Sequence, residues 1–278
     1  MTFACIGIGK VCERGMEETV LRKASLALCA ALIIATPARA GSIVGGSSML
    51  GGPGLAQLEA WLGQGPLTLT NIFTKGVDGS TSTDWHAAVD HQGATFSLLE
   101  MVAYDPEADA NVTQIIGGYN PRSWDAATNG WVSTPNDADR TAFIFNLTTG
   151  VLQRQCLSTD PTDCGRDLAD YGEWQTFDHL DYGPSFGGGQ DIHVNADLDD
   201  GFSYNYSYGV PGSPLAGYGQ QNGLDPNPGS SGWIAVGALE TFTIAPFTGA
   251  VPAPGGPALF ALGLLGLAVA RRRGLNTL

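Results

Sequence analysis

Hydrophobic and polar residues alternate in short segments of the chain, and glycine and proline residues separate these segments. Such alternation predicts β-strands with one buried face. The clearest example is residues 202–208, which would place four aromatic side chains on one face of a strand. Residues 142–147 alternate in the same way, and the glycine-containing turn after them predicts a hairpin. The other predicted strands are residues 67–73, 95–102, 112–116, 151–152 and 234–244.

Two short segments have the period of a helix instead. Residues 55–62 align their apolar side chains on one face, and Gly63 is expected to end this helix. Residues 83–91 do the same, with Ser82 or Thr83 as the N-cap. Many strands and few helices predict a mainly β (α+β) fold, which we expect to be a two-sheet antiparallel β-sandwich with a few short peripheral helices.

The segments between these elements predict the domain organisation. Residues 55–246 are long enough for one domain. Residues 41–54 are predicted to be a flexible leader, and residues 247–254 a proline-rich linker. Residues 209–232, rich in glycine, proline and serine, are predicted to form a long surface loop.

The first 40 residues are typical of a secretory signal peptide. A basic pair at 22–23 precedes an apolar run at 25–36, and small residues follow at the position that signal peptidase requires. The predicted cleavage site consists of Ala38, Ala40 and Gly41. The apolar run is too short to cross a bilayer easily, which favours a cleaved signal over an anchor. A buried helix is the alternative interpretation.

The C-terminal residues 251–273 form a three-part tail. A proline-containing motif precedes an apolar segment at 255–270, which is a predicted transmembrane helix, and a basic cluster follows it. The motif is Val251, Pro252, Ala253 and Pro254, and the cluster is Arg271, Arg272 and Arg273. This tail resembles the PEP-CTERM sorting signal, although the family has glutamate at the position of Ala253. The resemblance implies retention in the inner membrane until an exosortase-type enzyme cuts the tail, followed by release to the cell envelope or the extracellular space. A plain membrane anchor is the alternative.

Charge and cysteine content narrow the function further. Residues 41–254 contain five lysine and arginine residues against 24 acidic ones, a net charge of −19. Such a surface argues against binding to nucleic acid or anionic lipid, because both need cationic patches. Cys156 and Cys164 are the two cysteines in that range, and an isolated pair in an oxidising compartment predicts a disulfide.

Several blocks of residues in the middle of the chain resemble the TLDc domain family, in the order of that family's blocks. The matching positions include Gly117, Gly118, Trp124, Phe143, Phe145, Gly183, Phe186, Gly187, Gly188, Gly189 and Asp191. The resemblance covers about residues 55–246, and Gln190 stands where the family usually has histidine. It implies a β-sandwich with small helices and no agreed catalytic mechanism.

Three other patterns suggest chemistry. Residues 183–187 match the G-x-S-x-G pattern of hydrolases around Ser185, but glycines rather than a helix follow them, so a tight turn is the favoured interpretation. Residues 195–201 partly resemble a calcium loop, but a glycine comes one position late and an acidic turn is favoured. The four histidines lack metal-ligand spacing, and the aromatic residues of 202–208 are more typical of a core than of a sugar-binding face.

The sequence therefore predicts an exported, non-catalytic TLDc-like module of the cell envelope or extracellular matrix. No catalytic residue, metal ligand or cofactor is predicted, apart from the weak calcium pattern. Expected partners are signal peptidase, an exosortase-type enzyme and matrix exopolysaccharide, with no nucleic acid. The alternatives are an extracytoplasmic hydrolase and, by analogy with TLDc proteins of eukaryotes, protection against oxidative stress.

Overall fold

A computed structural model describes residues 41–105, 109–159, 171–202, 206–209 and 233–249. The predicted signal region 1–40, the sorting motif with its apolar segment, and Cys164 lie outside these residues. The strands are β1 Ser42–Val44, β2 Leu67–Thr74, β3 Thr95–Asp105, β4 Ala110–Asn120, β5 Gly130–Ser133, β6 Phe143–Asn146, β7 Val151–Arg154, β8 Trp174–Asp178, β9 His193–Val194, β10 Asp200–Phe202 and β11 Trp233–Pro246. The two α-helices are α1, Gly52–Leu62, and α2, Ser82–Val89.

The described strands form one large sheet and one small one. The large sheet has the order β1-β2-β11-β3-β4-β6-β7, and β10 and β9 extend it beside β11. Its strand pairs are antiparallel except β1–β2, which is parallel. The small sheet consists of β5 and β8. The expectation of a mainly β fold with few helices is confirmed.

The aromatic segment 202–208 does not form the single strand that its alternation predicts. β10 ends at Phe202, and of the described residues 206–209 only Tyr208 makes a bridge, to Gln155. The backbone N–H groups of Tyr206, Ser207 and Tyr208 instead donate to the carboxylate of Asp191. A strand needs these N–H groups for a neighbouring strand, so the buried carboxylate overrides the local pattern.

Both predicted helices are present, with different starts. Helix α1 begins at Gly52, earlier than predicted, and ends at Gly63, whose φ of 72° is left-handed, as a glycine allows. The N-cap of α2 is Thr81 rather than Ser82 or Thr83. The Thr81 side chain accepts the N–H of Asp84, and the Asp84 carboxylate accepts the N–H of Thr81, a complete capping box.

Residues 41–54 are part of the fold, and the prediction of a flexible leader is wrong. β1 pairs with β2, and Leu50 is buried in the core. The Glu240 side chain on β11, which is also buried, accepts hydrogen bonds from the Ser48 N–H and hydroxyl, both at 2.8 Å, and from the Ser47 hydroxyl. A buried carboxylate needs such donors, and these come from the segment before α1.

The large sheet packs a hydrophobic core against each face, and adjacent glycines on β4 make both possible. Gly117 and Gly118 point to opposite faces because side chains alternate along a strand. A Cβ on Gly117 would lie 2.9 Å from the Phe145 ring, and a Cβ on Gly118 would lie 2.4 Å from the Phe186 ring. Phe145 and Phe186 belong to the two different cores. Each phenylalanine therefore occupies space that any larger residue at these glycines would fill.

Replacing Gly118 by alanine is therefore expected to destabilise the domain. The new methyl group would collide with the buried ring of Phe186, and overpacking of this kind costs about 2–3 kcal/mol. Gly130→Ala is the matched control, because the nearest atom to its added Cβ is 3.8 Å away and its effect should stay within about 0.5 kcal/mol. Urea unfolding of both variants measures the difference, and equal stabilities would contradict the packing argument.

Candidate functional site: an aromatic strip on a glycine-rich turn

The turn before β9 is organised around the fully buried carboxylate of Asp191. Its Oδ1 accepts the N–H groups of Tyr206 at 2.8 Å, Ser207 at 3.0 Å and Tyr208 at 3.1 Å. Burial raises the pKa of Asp191 to about 7, and these hydrogen bonds oppose the rise because they favour the charged form. The carboxylate thus ties the glycine-rich turn to the segment 206–208.

The three consecutive glycines of this turn are explained by close packing. Gly187 has a φ of 85°, and a Cβ there would lie 1.7 Å from Oδ2 of Asp191. A Cβ on Gly188 would lie 2.6 Å from the Trp174 ring, and one on Gly189 would lie 1.8 Å from the Tyr206 ring. Each glycine therefore makes room for a different neighbour, as the interpretation of this segment as a tight turn expects.

Five aromatic side chains form a continuous row beside this turn, which we call the aromatic strip. Its members are Trp131 on β5, Trp174 and Phe177 on β8, and His179 and Tyr182 in the loop after β8. The ring centroids of neighbours lie 4.3 Å apart for Trp131 and Phe177, 6.3 Å for Trp131 and Trp174, and 5.0 Å for His179 and Tyr182.

The strip is accessible to solvent along its length. Trp131 is 36% exposed, and the other four side chains are half-buried. Leu180, in the loop between His179 and Tyr182, is 46% exposed. A contiguous exposed apolar surface of this kind marks an interaction site more often than scattered exposed residues do.

Strand pairing and packing hold the strip in place. Trp131 and Phe177 are direct partners in the β5–β8 ladder, so their side chains lie on the same face. The Trp174 ring rests on Gly188. The ladder shifts register between Val132 and Ser133, and this bulge lets Trp174 and Phe177, three residues apart, both lie beside Trp131.

A buried histidine fixes the loop that carries the far end of the strip. His86 Nε2 lies 2.9 Å from the carbonyl oxygen of His179 and 3.1 Å from that of Tyr182, so this nitrogen is the donor to both. Its Nδ1 lies 2.7 Å from Oδ1 of Asp90, whose Oδ2 accepts the N–H of Ala126. Nε2 therefore holds two backbone carbonyl groups and Nδ1 faces a carboxylate, so both ring nitrogens of His86 have protein partners.

Asp178 lies on the opposite side of β8 from Phe177 and is buried. Its Oδ2 accepts the N–H of Asp125 at 3.0 Å, whereas Oδ1 has no hydrogen-bond partner among the described residues. Burial raises the pKa of Asp178 to about 6, and the neighbouring Thr176 hydroxyl, the hydrogen bond from Asp125 and the charge of His86 moderate the rise. The polar groups beneath the strip therefore connect it to α2 and to the 3-10 turn at Ala126–Thr128.

The structure brings Ser185 close to His193, but not in the arrangement of a nucleophile and its base. The Ser185 hydroxyl lies 3.2 Å from His193 Nδ1 and donates its single hydrogen to the Gly183 carbonyl oxygen, also at 3.2 Å. Nδ1 must then donate to the hydroxyl, the reverse of the polarity that activates a serine. Ser185 is fully buried, and the His193 ring packs against Tyr182 and Phe202.

The other residues that the sequence analysis singled out stabilise turns or pack in the core. Asn195 uses its side-chain oxygen to accept the N–H groups of Asp199 and Asp200, as the favoured acidic turn requires. Among the described residues no group of three or more histidine, cysteine or acidic side chains could hold a metal ion. Cys156 is disulfide-bonded, and its pairing with Cys164 stays a prediction. Core positions are occupied by Trp124, Phe143, Phe145, Phe186 and Tyr208.

The strip itself is absent from the sequence-based candidates. Residues 202–208 looked like the aromatic face, but Tyr208 is fully buried and donates its hydroxyl to the Gln175 carbonyl oxygen. The signal that could have found the strip is the pair Trp174 and Phe177, which precedes the glycine-rich turn. Their spacing of three does not match strand alternation, and Trp131 lies more than 40 residues away.

Comparisons with known proteins assign no family to the chain. No protein-family model matches it, and no curated protein is similar to it in sequence. Within the described ranges, the structure contains no helix with the length and hydrophobicity needed to cross a membrane.

The burial of His193 predicts a specific pH dependence of stability. Burial lowers the pKa of His193 to about 4, whereas a histidine in the unfolded chain has a pKa near 6.5. Between these values only the unfolded chain binds the proton, so the free energy of unfolding falls as the pH is lowered from about 6.5 to about 4. His193→Asn should remove about 2–3 kcal/mol of this fall.

Urea unfolding at pH 7 and pH 4.5 measures the contribution of His193. The control is His91→Asn, because His91 is exposed and has a positive φ that asparagine tolerates. We expect the control to keep the pH dependence of the wild-type protein. If His193→Asn kept it as well, His193 would not be the buried neutral group described above.

Proposed function

We propose that this protein is an exported, non-catalytic module that binds a matrix polysaccharide through the aromatic strip. The observation that carries the proposal is the accessible row of five aromatic rings, three on the β5–β8 sheet and two in the loop after it. Aromatic side chains combine a large apolar surface with little conformational freedom, which suits them to contact the apolar faces of sugar rings.

The polar groups around the strip support binding rather than catalysis. His86 and Asp90 are engaged with backbone atoms, and Ser185 is buried beneath the surface. A catalytic acid or base must reach the substrate, either directly or through one water molecule. The chemistry that the strip presents to solvent is therefore apolar contact with hydrogen bonding at its edges.

Charge favours a neutral or amino-bearing glycan over a polyanionic one. Residues 41–254 carry a net charge of −19, and Asp181 within the strip's loop has a side chain that is 74% exposed. Like charges repel a uronate or sulfate chain from such a surface. The proposed partner is thus an extracellular polysaccharide with few acidic groups.

The proposed location rests on the two ends of the chain. A signal peptide over 1–40 would export the protein, and the PEP-CTERM-like tail with Ala253 in its motif would hold it in the inner membrane until an exosortase-type enzyme releases it. The disulfide at Cys156 supports this location, because disulfides persist in oxidising compartments.

We further propose that the domain is a TLDc-type β-sandwich. The blocks that resemble the family support this proposal. Gly117 and Gly118 each face one of the two cores, and residues 183–191 form the turn beside the strip. The large sheet and the β5–β8 sheet would be the two layers of this sandwich.

The intact mass of the protein from its native host tests export, processing and the disulfide together. We expect a chain that starts at Gly41, ends near Val251–Pro254 and gains two hydrogens on reduction. A mass that includes residues 255–278 would contradict release by an exosortase-type enzyme. A chain that still contains residues 1–40 would contradict the signal peptide.

A binding measurement with neutral and acidic fractions of the host exopolysaccharide tests the strip. Trp131→Ala should weaken binding to the neutral fraction at least about 10-fold, because it removes the most exposed ring of the strip. Trp61→Ala is the control, since Trp61 packs on Phe145 away from the strip and should change the affinity less than about twofold.

Both variants must keep the wild-type circular dichroism spectrum, so that lost binding is not lost folding. Preferential binding to the acidic fraction would contradict the charge argument. Equal affinity of Trp131→Ala and the wild-type protein for the neutral fraction would contradict the strip as the binding site.

A further inference from the structure

Gly41, the first residue that the structure describes, lies directly against a carboxylate. A Cβ on Gly41 would lie 2.0 Å from Oε1 of Glu59 and 2.4 Å from the Leu67 carbonyl oxygen. Glu59 is in the last turn of α1, and Leu67 begins β2. The backbone of Gly41 therefore occupies a niche that admits no side chain.

Within the described residues, the Glu59 carboxylate accepts a hydrogen bond but pairs with no cation. Its Oε1 accepts the N–H of Leu67 at 2.8 Å, and the side chain is half-buried. In the part of the chain that the structure describes, no lysine, arginine or histidine forms an ion pair with it. A half-buried carboxylate with spare acceptor capacity is a favourable site for a cation.

We propose that Glu59 binds the α-amino group that signal cleavage creates at Gly41. Hydrolysis of the Ala40–Gly41 bond consumes one water molecule, leaves a carboxylate on Ala40 and leaves a protonated amine on Gly41. That amine is attached to the Cα that already lies beside Glu59. This inference rests on the proposed export, because the charge exists only after the bond is cut.

The niche makes the pairing specific for the mature chain. Before cleavage the same nitrogen belongs to an uncharged peptide bond and offers Glu59 no positive charge. After cleavage an ammonium group with three donors replaces it, and β1, which begins at the next residue, is anchored to α1. A chain that starts one residue earlier carries the ammonium outside the niche.

A cycle of two changes tests the ion pair on the exported protein. The first change inserts one alanine between Ala40 and Gly41, and the second is Glu59→Gln. The insertion should lower the Tm of the otherwise wild-type protein by about 2–4 °C and that of the Glu59→Gln protein by less than about 1 °C. The control is Glu173→Gln, which changes a half-buried acid elsewhere. In this background the insertion should lower the Tm as much as it does in the wild-type protein.

An insertion effect of the same size with and without Glu59 would overturn the ion pair, and so would no insertion effect in either background. The intact mass of each protein separates this outcome from a failure of the proposed export. If the exported chain does not start at Gly41, the processing proposal fails. The cycle, repeated on a chain made to start at Gly41, then still tests the pairing itself.

Discussion

The buried carboxylate of Asp191 is the interaction on which the rest of the site depends. A fully buried carboxylate must be hydrogen-bonded, and Asp191 takes its donors from the backbone of residues 206–208. Residues 206 and 207 therefore do not pair as a strand, and Tyr208 lies in the core, where its hydroxyl donates to the carbonyl oxygen of Gln175 on β8. The strand that carries Trp174 and Phe177 is thereby linked to the glycine-rich turn.

Glycine makes this arrangement sterically feasible. Gly187 has a positive φ, and its Cα lies so close to Asp191 that no side chain would fit there. Because Gly188 has no side chain, the Trp174 ring packs directly on its backbone. On the sheet, Gly118 does the same for Phe186. The G-P-S-F-G segment thus resembles a hydrolase motif in sequence, but its glycines serve packing: Gly187 lies against the Asp191 carboxylate, and Gly183 lies against Leu198 and Val194.

Polar side chains lie beneath this surface, and aromatic side chains lie on it. The buried His86 and Asp178 and the half-buried Asp90 hold backbone segments beneath the strip, whereas the aromatic rings are partly exposed to solvent. A rigid support reduces the conformational entropy that a ligand must overcome when it binds. The same principle would apply to the proposed pairing at Gly41, where the Glu59 carboxylate already lies beside the Gly41 backbone.

Local patterns in the sequence were sufficient to predict the mainly β class and the helix that ends at Gly63, because periodicity and helix caps depend on neighbouring residues. They also predicted the strands at 67–73, 95–102, 112–116 and 234–244. They failed at 41–54 and at 202–208. There, the buried side chains of Glu240 and Asp191 determine where the backbone N–H groups donate. Both side chains are more than ten residues away in the chain from these donors. The strip was equally out of reach, since only strand pairing and a bulge bring Trp131 beside Trp174 and Phe177. Tertiary structure decided these features because a buried charge or a paired strand selects its partners by distance in space, which the order of residues does not specify.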